Sequence, residues 1–300
     1  MRDVDDRPRD PLSAEQVIAA HRAAGRSFTA AGIRSFAREQ GDGEAVLCIH
    51  GIPASSFLYR KVLPALAARG LRGIAFDLPG LGLADRPRGF SYTWSDLGLW
   101  SAAAVDVLAL GRFHLLAHDF GGPVAFELCA LRAPQIQSLT ILDTMVDVDR
   151  FKRPRWIEAL IRPTIGQAII QALPRRLWRR IMLRVGIQDP STITADELDA
   201  WLILLRGGDH GRALIEMLRN FETTTTKRDR YRRAVTELDT PKQIIWGSED
   251  PILPLQTEGE RIRTLTGAPL HPVLAKHFLQ EDQYEAIATR VADLAAKGRW

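Results

Sequence analysis

Apolar residues fall along this chain in short unbroken runs, separated by longer stretches where they recur at helical spacing. The run Ala45-Val46-Leu47-Cys48-Ile49 stops at His50-Gly51. A run without polar alternation predicts a strand buried on both faces. Arg72 to Asp77, Phe113 to His118, Ser138 to Leu142 and Lys242 to Gly247 repeat the pattern, with a shorter run at Ala268 to Val273. Between them, Ala54 to Arg69 spaces Phe57, Leu58, Val62, Leu63 and Leu66 as one helical face and ends at Gly70. Thr93 to Leu110, the stretch opened by Gly121-Gly122, a segment near Leu255 to Thr264, and Glu281 to Ala296 are also predicted helices. Ahead of these, Ser13 caps a short helix to Ala24, and Ser27 to Glu39 forms two strands around Ala30-Ala31-Gly32.

Strands alternating with helices predict an α/β fold whose mostly parallel central sheet is flanked by helices. The rhythm lapses after Asp143 and resumes at Lys242; from Asp147 to about Leu238 the pattern is helical and rich in Arg and Trp. The expected organisation is a flexible segment over residues 1–12, a core over 13–146 and 239–300, and an inserted helical cap over 147–238.

Charge sharpens the division. The chain carries +4 overall, but Arg150 to Arg233 holds 18 Lys and Arg against 9 Asp and Glu, so the remainder sums to −5. A basic segment can attract anionic substrates or a membrane surface; the expectation adopted is a solvated face of the cap, with no membrane contact and no nucleic-acid partner. Cys48 and Cys129 lie inside apolar runs without metal-ligand spacing and are expected to be reduced core residues, which suits the cytoplasm. No stretch is apolar for long enough to span a bilayer, and the first residues lack the apolar core of a secretory signal.

The chemistry centres on Phe113-His114-Leu115-Leu116-Ala117-His118-Asp119-Phe120-Gly121-Gly122. A buried strand, a turn flanked by small residues and a helix make a nucleophile elbow, which presents its apical side chain above the sheet. Here the apex is Asp119. In open parallel sheets functional groups gather beyond the carboxyl ends of the strands. His50, Asp119, Asp250 and His277 all follow such ends, and nucleophile, acid and histidine appear in the chain order of a hydrolase triad.

These residues carry a resemblance. His50-Gly51-Ile52-Pro53, Asp77-Leu78-Pro79-Gly80 with Asp85-Arg86-Pro87, Ala117-His118-Asp119-Phe120-Gly121-Gly122, Trp246-Gly247-Ser248-Glu249-Asp250-Pro251 and Lys276-His277-Phe278 resemble the aspartate-nucleophile α/β-hydrolases. That group contains haloalkane dehalogenases and epoxide hydrolases. The resemblance covers most of the core and little of the cap. It implies the α/β-hydrolase fold, attack by Asp119 at a saturated carbon, and an alkyl ester hydrolysed by water that His277, oriented by Asp250, deprotonates. Backbone N–H groups of Ile52 and Phe120 are expected to hold the oxyanion. Asp143 is the reserve acid, since some relatives place theirs after the earlier strand, and His50 is expected to shape the oxyanion loop. A small apolar substrate is expected, with no metal and no organic cofactor.

The leaving group divides the readings. Haloalkane dehalogenases hold the halide with N–H donors from a Trp after the nucleophile and from a cap Trp or an Asn after the His-Gly. Phe120 and Ile52 occupy those core positions here, leaving Trp156, Trp178 or Trp201 of the cap as donors. Epoxide opening takes a proton from cap tyrosines, of which Tyr231 is the single example, with His210 as the cap histidine. The order adopted is epoxide hydrolysis first, then dehalogenation, then a scaffold that binds a small ligand without turnover.

Overall fold

The computed structural model describes residues 12–151 and 155–297; for Arg155, Trp156 and Pro163 it describes the backbone alone. The expected lead-in, residues 1–12, thus falls almost wholly outside the described residues. One eight-stranded sheet organises the core: β1 (Gly25–Ala30), β2 (Ile33–Gln40), β3 (Glu44–Ile49), β4 (Leu71–Phe76), β5 (Phe113–His118), β6 (Ile136–Leu142), β7 (Lys242–Gly247) and β8 (Leu270–Val273). Their spatial order is β1-β2-β4-β3-β5-β6-β7-β8. Only β2 runs antiparallel to its neighbours.

Both faces are covered, which is why the strands read as unbroken apolar runs. Leu47, Ile49, Leu115, Ala117 and Trp246 share one cluster with α3 (Trp94–Val107) and α4 (Gly121–Arg132). Their sequence neighbours Val46, Cys48, Leu116 and Ile245 point the other way, against α2 (Val62–Ala67) and α13 (Tyr284–Lys297). The two cysteines are free, buried and divided between these clusters.

The expected helix over Ala54–Arg69 is instead a 3-10 turn, Ser56–Tyr59, followed by α2. Pro64 explains the break. It has no N–H for a helix arriving from upstream, but fits the first turn of one starting at Val62. Ahead of the sheet, α1 (Ala14–Ala23) begins at Ser13, whose hydroxyl accepts from the Gln16 N–H in a capping box. The final helix is likewise split, a turn α12 (Leu279–Asp282) preceding α13.

Between β6 and β7 the chain builds helices α5 (Arg155–Leu160), α6 (Pro163–Ala172), α7 (Arg175–Val185), α8 (Ala195–Arg206), α9 (Arg212–Arg219) and α10 (Thr225–Thr236). Most form a third cluster around Ile170, Trp178, Met182 and Trp201, which meets the core at Ala54, Leu58 and Phe278. Buried charge adds to this join. Arg60 donates to Glu197 of α8 and, in a bidentate pair, to the wholly buried Glu281. Lys227 of α10 reaches Glu127 of α4 at 2.5 Å.

Candidate active site

Asp119 follows β5 with φ of 53° and Asp143 follows β6 with φ of 25°, both in the left-handed region that side chains other than Gly seldom adopt. Hydrogen bonds hold the first of these turns. The Asp119 N–H donates to the Asp143 carbonyl at 3.1 Å, and the Thr144 hydroxyl donates to the Asp119 carbonyl at 2.6 Å. The glycines make room. A Cβ on Gly51 would lie 2.2 Å from Asp119 Oδ1, and one on Gly122 would lie 2.0 Å from Thr144 Oγ1. Either substitution would push the elbow apart.

The Asp119 carboxylate sits between two functions. Oδ1 accepts the Ile52 N–H at 2.8 Å, and Oδ2 lies 3.4 Å from His277 Nε2. On its other side, His277 Nδ1 is 2.8 Å from Asp250 Oδ2, while Asp250 Oδ1 accepts the N–H groups of Ile252 and Leu253. Burial pushes the Asp119 carboxyl up, but the bond and charge of His277, with the Phe120 N–H, hold it below the usual carboxylate range. Burial likewise pulls His277 down, yet Asp250 and Asp119 together raise it well above an ordinary imidazole. His277 thus lies between Asp119 and Asp250, and both favour its protonated form.

Asp143, the reserve acid, is brought near but bonded elsewhere. Its Oδ1 accepts the Gly247 N–H at 2.9 Å and its Oδ2 has no hydrogen-bond partner among the described residues. Burial first, and then the charge of Asp250, push its carboxyl well above the usual carboxylate range. His50 is wholly buried, with both ring nitrogens on backbone: Nδ1 lies 2.8 Å from the Gly51 carbonyl and Nε2 accepts the Leu78 N–H at 3.0 Å. That fixes the loop carrying Ile52. His118 Nε2 bonds the His277 carbonyl at 2.8 Å, and burial, then the charge of His277, lower it to about 4. His118, Asp143 and His277 can bring one ligand atom each within 4.8 Å of one another. That spacing alone does not make a metal centre, because His277 is already committed to Asp250 and Asp119.

Family membership is decided at this point. The sequence profile of the alpha/beta hydrolase family matches residues 46–290, which takes in every one of these side chains. The chain belongs to the alpha/beta hydrolase family. Haloalkane dehalogenase 2 of Mycobacterium tuberculosis is 27% identical over 263 residues, covering 85% of this chain and 89% of that protein. The haloalkane dehalogenase of Bradyrhizobium elkani superposes with a TM-score of 0.75 at 24% identity, over 91% of this chain and 98% of the other. The epoxide hydrolase of Vigna radiata gives 0.74 at 20% identity, with the same coverage. The α/β-hydrolase fold follows, and with it a hydrolase.

The expected leaving-group residues of this hydrolase are dispersed. The Tyr231 ring is buried against Trp94 and Phe126, with the Lys227 ammonium 5.8 Å from it. Burial and the nearby Glu127 push its phenol up, and among the described residues it makes no hydrogen bond to Asp119 or His277. Trp178 spends its indole N–H on the Leu198 carbonyl at 2.7 Å, His210 is exposed, and the Trp156 side chain lies outside the described residues. Trp201 is wholly buried, its indole nitrogen has no partner among the described residues, and its ring lies 4.8 Å from Phe278, itself 5.0 Å from the His277 ring.

Two residues packed around the site escaped the sequence reading. Trp94 is also wholly buried, with no partner for its indole nitrogen among the described residues, 5.9 Å ring to ring from Phe120. Its place at the start of a helix that ran well outside the motifs gave no signal. Thr144 could have been suspected from its position directly after Asp143 at the end of β6.

Proposed function

We propose that this hydrolase cleaves a small apolar electrophile at a saturated carbon through an alkyl ester on Asp119, with residues 147–238 acting as a cap over the reaction. The observation that carries this reading is the Asp119 carboxylate, held at one oxygen by the Ile52 N–H and facing His277 with the other. A carboxylate with a lowered pKa is already the nucleophile and needs no base. Attack by Oδ2 converts it to a neutral ester and expels the leaving group. One of the two anions that hold the proton on His277 is thereby removed. The ring can then pass that proton to solvent, where it accompanies the expelled leaving group, and take another from the attacking water, with Asp250 stabilising the imidazolium that forms. Hydroxide from that water adds to the ester carbon, and Oδ1 becomes the oxyanion at the Ile52 and Phe120 N–H groups. On collapse His277 protonates the departing alkoxide oxygen to give the alcohol and takes back the remaining acid proton, returning the Asp119 carboxylate.

For the leaving group, carbon–halogen cleavage is the reading the geometry favours. Among the described residues the indole N–H groups of Trp94 and Trp201 are buried without an acceptor, as is the Gln280 amide. The two indoles pack against Phe120 and Phe278, which flank Asp119 and His277. A departing halide would supply the missing acceptor, and a charged acceptor gives the stronger hydrogen bond. The dehalogenase of Mycobacterium tuberculosis points the same way. Epoxide opening is the second reading. It rests on Tyr231, whose buried hydroxyl has no partner among the described residues and whose phenol is pushed up, but whose ring packs on Trp94 of α3 and Phe126 of α4 rather than on Asp119.

The test is His277→Gln, which leaves the ester without a base, followed by intact-mass measurement after exposure to bromoalkanes and to epoxides. A bromoalkane should add its mass less hydrogen bromide, and an Asp119→Asn version should add nothing. An adduct of entire epoxide mass, with none from bromoalkanes, would reverse the order of the readings. No adduct from either panel would remove the nucleophile assignment.

A further inference from the structure

The inserted helices have a second face. On α7, Trp178 and Met182 turn inward and pack with the cluster that reaches Phe278, beside His277. One position earlier in each turn, Leu177 and Ile181 stand outward, 44% and 40% exposed. Exposed Arg176, Arg180 and Arg184 make a stripe beside them at the same spacing. Arg175 and Arg179 on this helix are committed to Asp199, and Arg175 also to Glu15. Arg176, Arg180 and Arg184 have no carboxylate partner among the described residues. The preceding helix α6, joined through Leu173 and Pro174, exposes Ile165 and Ile169 to 48% and 40%, again four residues apart.

We propose that this face of the cap, Leu177 and Ile181 ridged by Arg176, Arg180 and Arg184 and extended by α6, docks the enzyme on an anionic lipid bilayer. Branched aliphatic side chains at helical spacing enter the acyl boundary, while arginine heads remain at the lipid phosphates with their stems along the apolar surface. A second copy fits poorly, since a two-fold contact would set each arginine stripe against its own like charge. Nucleic acid fits poorly as well, for the outward ridge offers aliphatic side chains and no ring on which a base could stack. The proposal does not depend on the leaving group. It gives an apolar substrate dissolved in lipid a short route, because the docking face and the cluster next to His277 are opposite sides of one helix layer. The charge surplus of this segment, expected to be merely solvated, thereby acquires a partner.

The experiment is co-sedimentation of the full chain with phosphatidylcholine vesicles, with and without phosphatidylglycerol, at low and high salt. Binding should require phosphatidylglycerol and weaken with salt. Arg176→Gln/Arg180→Gln/Arg184→Gln should lower the partition coefficient on the order of a hundredfold. Leu177→Gln/Ile181→Gln should lower it about tenfold. All five positions are exposed, so far-ultraviolet circular dichroism and turnover of a water-soluble substrate should stay at wild-type values. Three outcomes would overturn the proposal. The chain fails to pellet with anionic vesicles, it pellets equally when the arginines are replaced, or it sediments as a dimer that Leu177→Gln/Ile181→Gln dissociates.

Discussion

Nε2 of His277 stands 3.4 Å from Oδ2 of Asp119, while Nδ1 of the same ring is 2.8 Å from Oδ2 of Asp250. The unequal distances fit different tasks. The short bond orients the ring; the long one leaves the nucleophilic oxygen loosely held and accessible to an electrophile.

Asp250 and Asp143 should therefore separate under the same substitution. Asp250→Asn removes the anion at Nδ1 and should slow ester hydrolysis by roughly 10³–10⁴-fold, with alkylation of Asp119 surviving as a burst. Asp143→Asn keeps an oxygen that accepts the Gly247 N–H and leaves the His277–Asp250 bond in place, and should stay within about tenfold of wild type. Single-turnover kinetics resolve the steps, and a larger loss at position 143 would exchange the two roles.

The pH dependence of stability has a definite sign. His277 is raised in the folded state, so its contribution is complete below its unfolded pKa of about 6.5 and is lost as pH rises through the folded value. Asp119 is lowered, so its share is present above about 3.9 and lost as pH falls through the folded value. Thermal melting of wild type and His277→Gln should show a wild-type advantage below the unfolded value that narrows as pH rises through the folded one. A gap that widened with pH would contradict the raised His277.

The leaving-group readings part at three rings. Trp201→Phe and Trp94→Phe each delete an N–H while keeping an aromatic ring, and should lower kcat/KM for a bromoalkane about tenfold to a hundredfold. Tyr231→Phe should change bromoalkane turnover less than about threefold. If both tryptophan variants match wild type and Tyr231→Phe abolishes epoxide turnover, epoxide opening becomes the reading.

Glu281 is four residues beyond His277 and fully buried against Arg60. Glu281→Gln would leave the Arg60 guanidinium, 9% exposed, with Glu197 as its carboxylate and would take the Glu281 charge from Lys61, so the expected cost is about 3 kcal/mol by urea denaturation. Arg263→Gln, which breaks the exposed pair with Glu260 at 2.6 Å, should cost less than about 1 kcal/mol. Equal costs would mean that the buried pair does not anchor the segment carrying the base.

Local constraints made much of this protein readable from its residues. Central strands buried on both faces leave unbroken apolar runs, so Ala45–Ile49 and Phe113–Ala117 announced a parallel sheet, and the turn between His118 and Gly121 announced the elbow. The side chains at strand ends could be listed because parallel strands bring their carboxyl ends to one edge. Which of them bond to one another was a tertiary matter. Asp143 and Asp250 follow neighbouring strands; their environments decide that Asp250 orients His277 while Asp143 accepts the Gly247 N–H with its carboxyl pushed up. Tyr231, set among arginines, has no apolar pattern to betray that its ring is buried against α4. The unsatisfied indoles of Trp94 and Trp201 are defined by the absence of an acceptor in three dimensions, which spacing along a chain does not encode. Sequence fixes periodicity and backbone tolerance; only packing decides which charges are desolvated together and which donors are left waiting for a ligand.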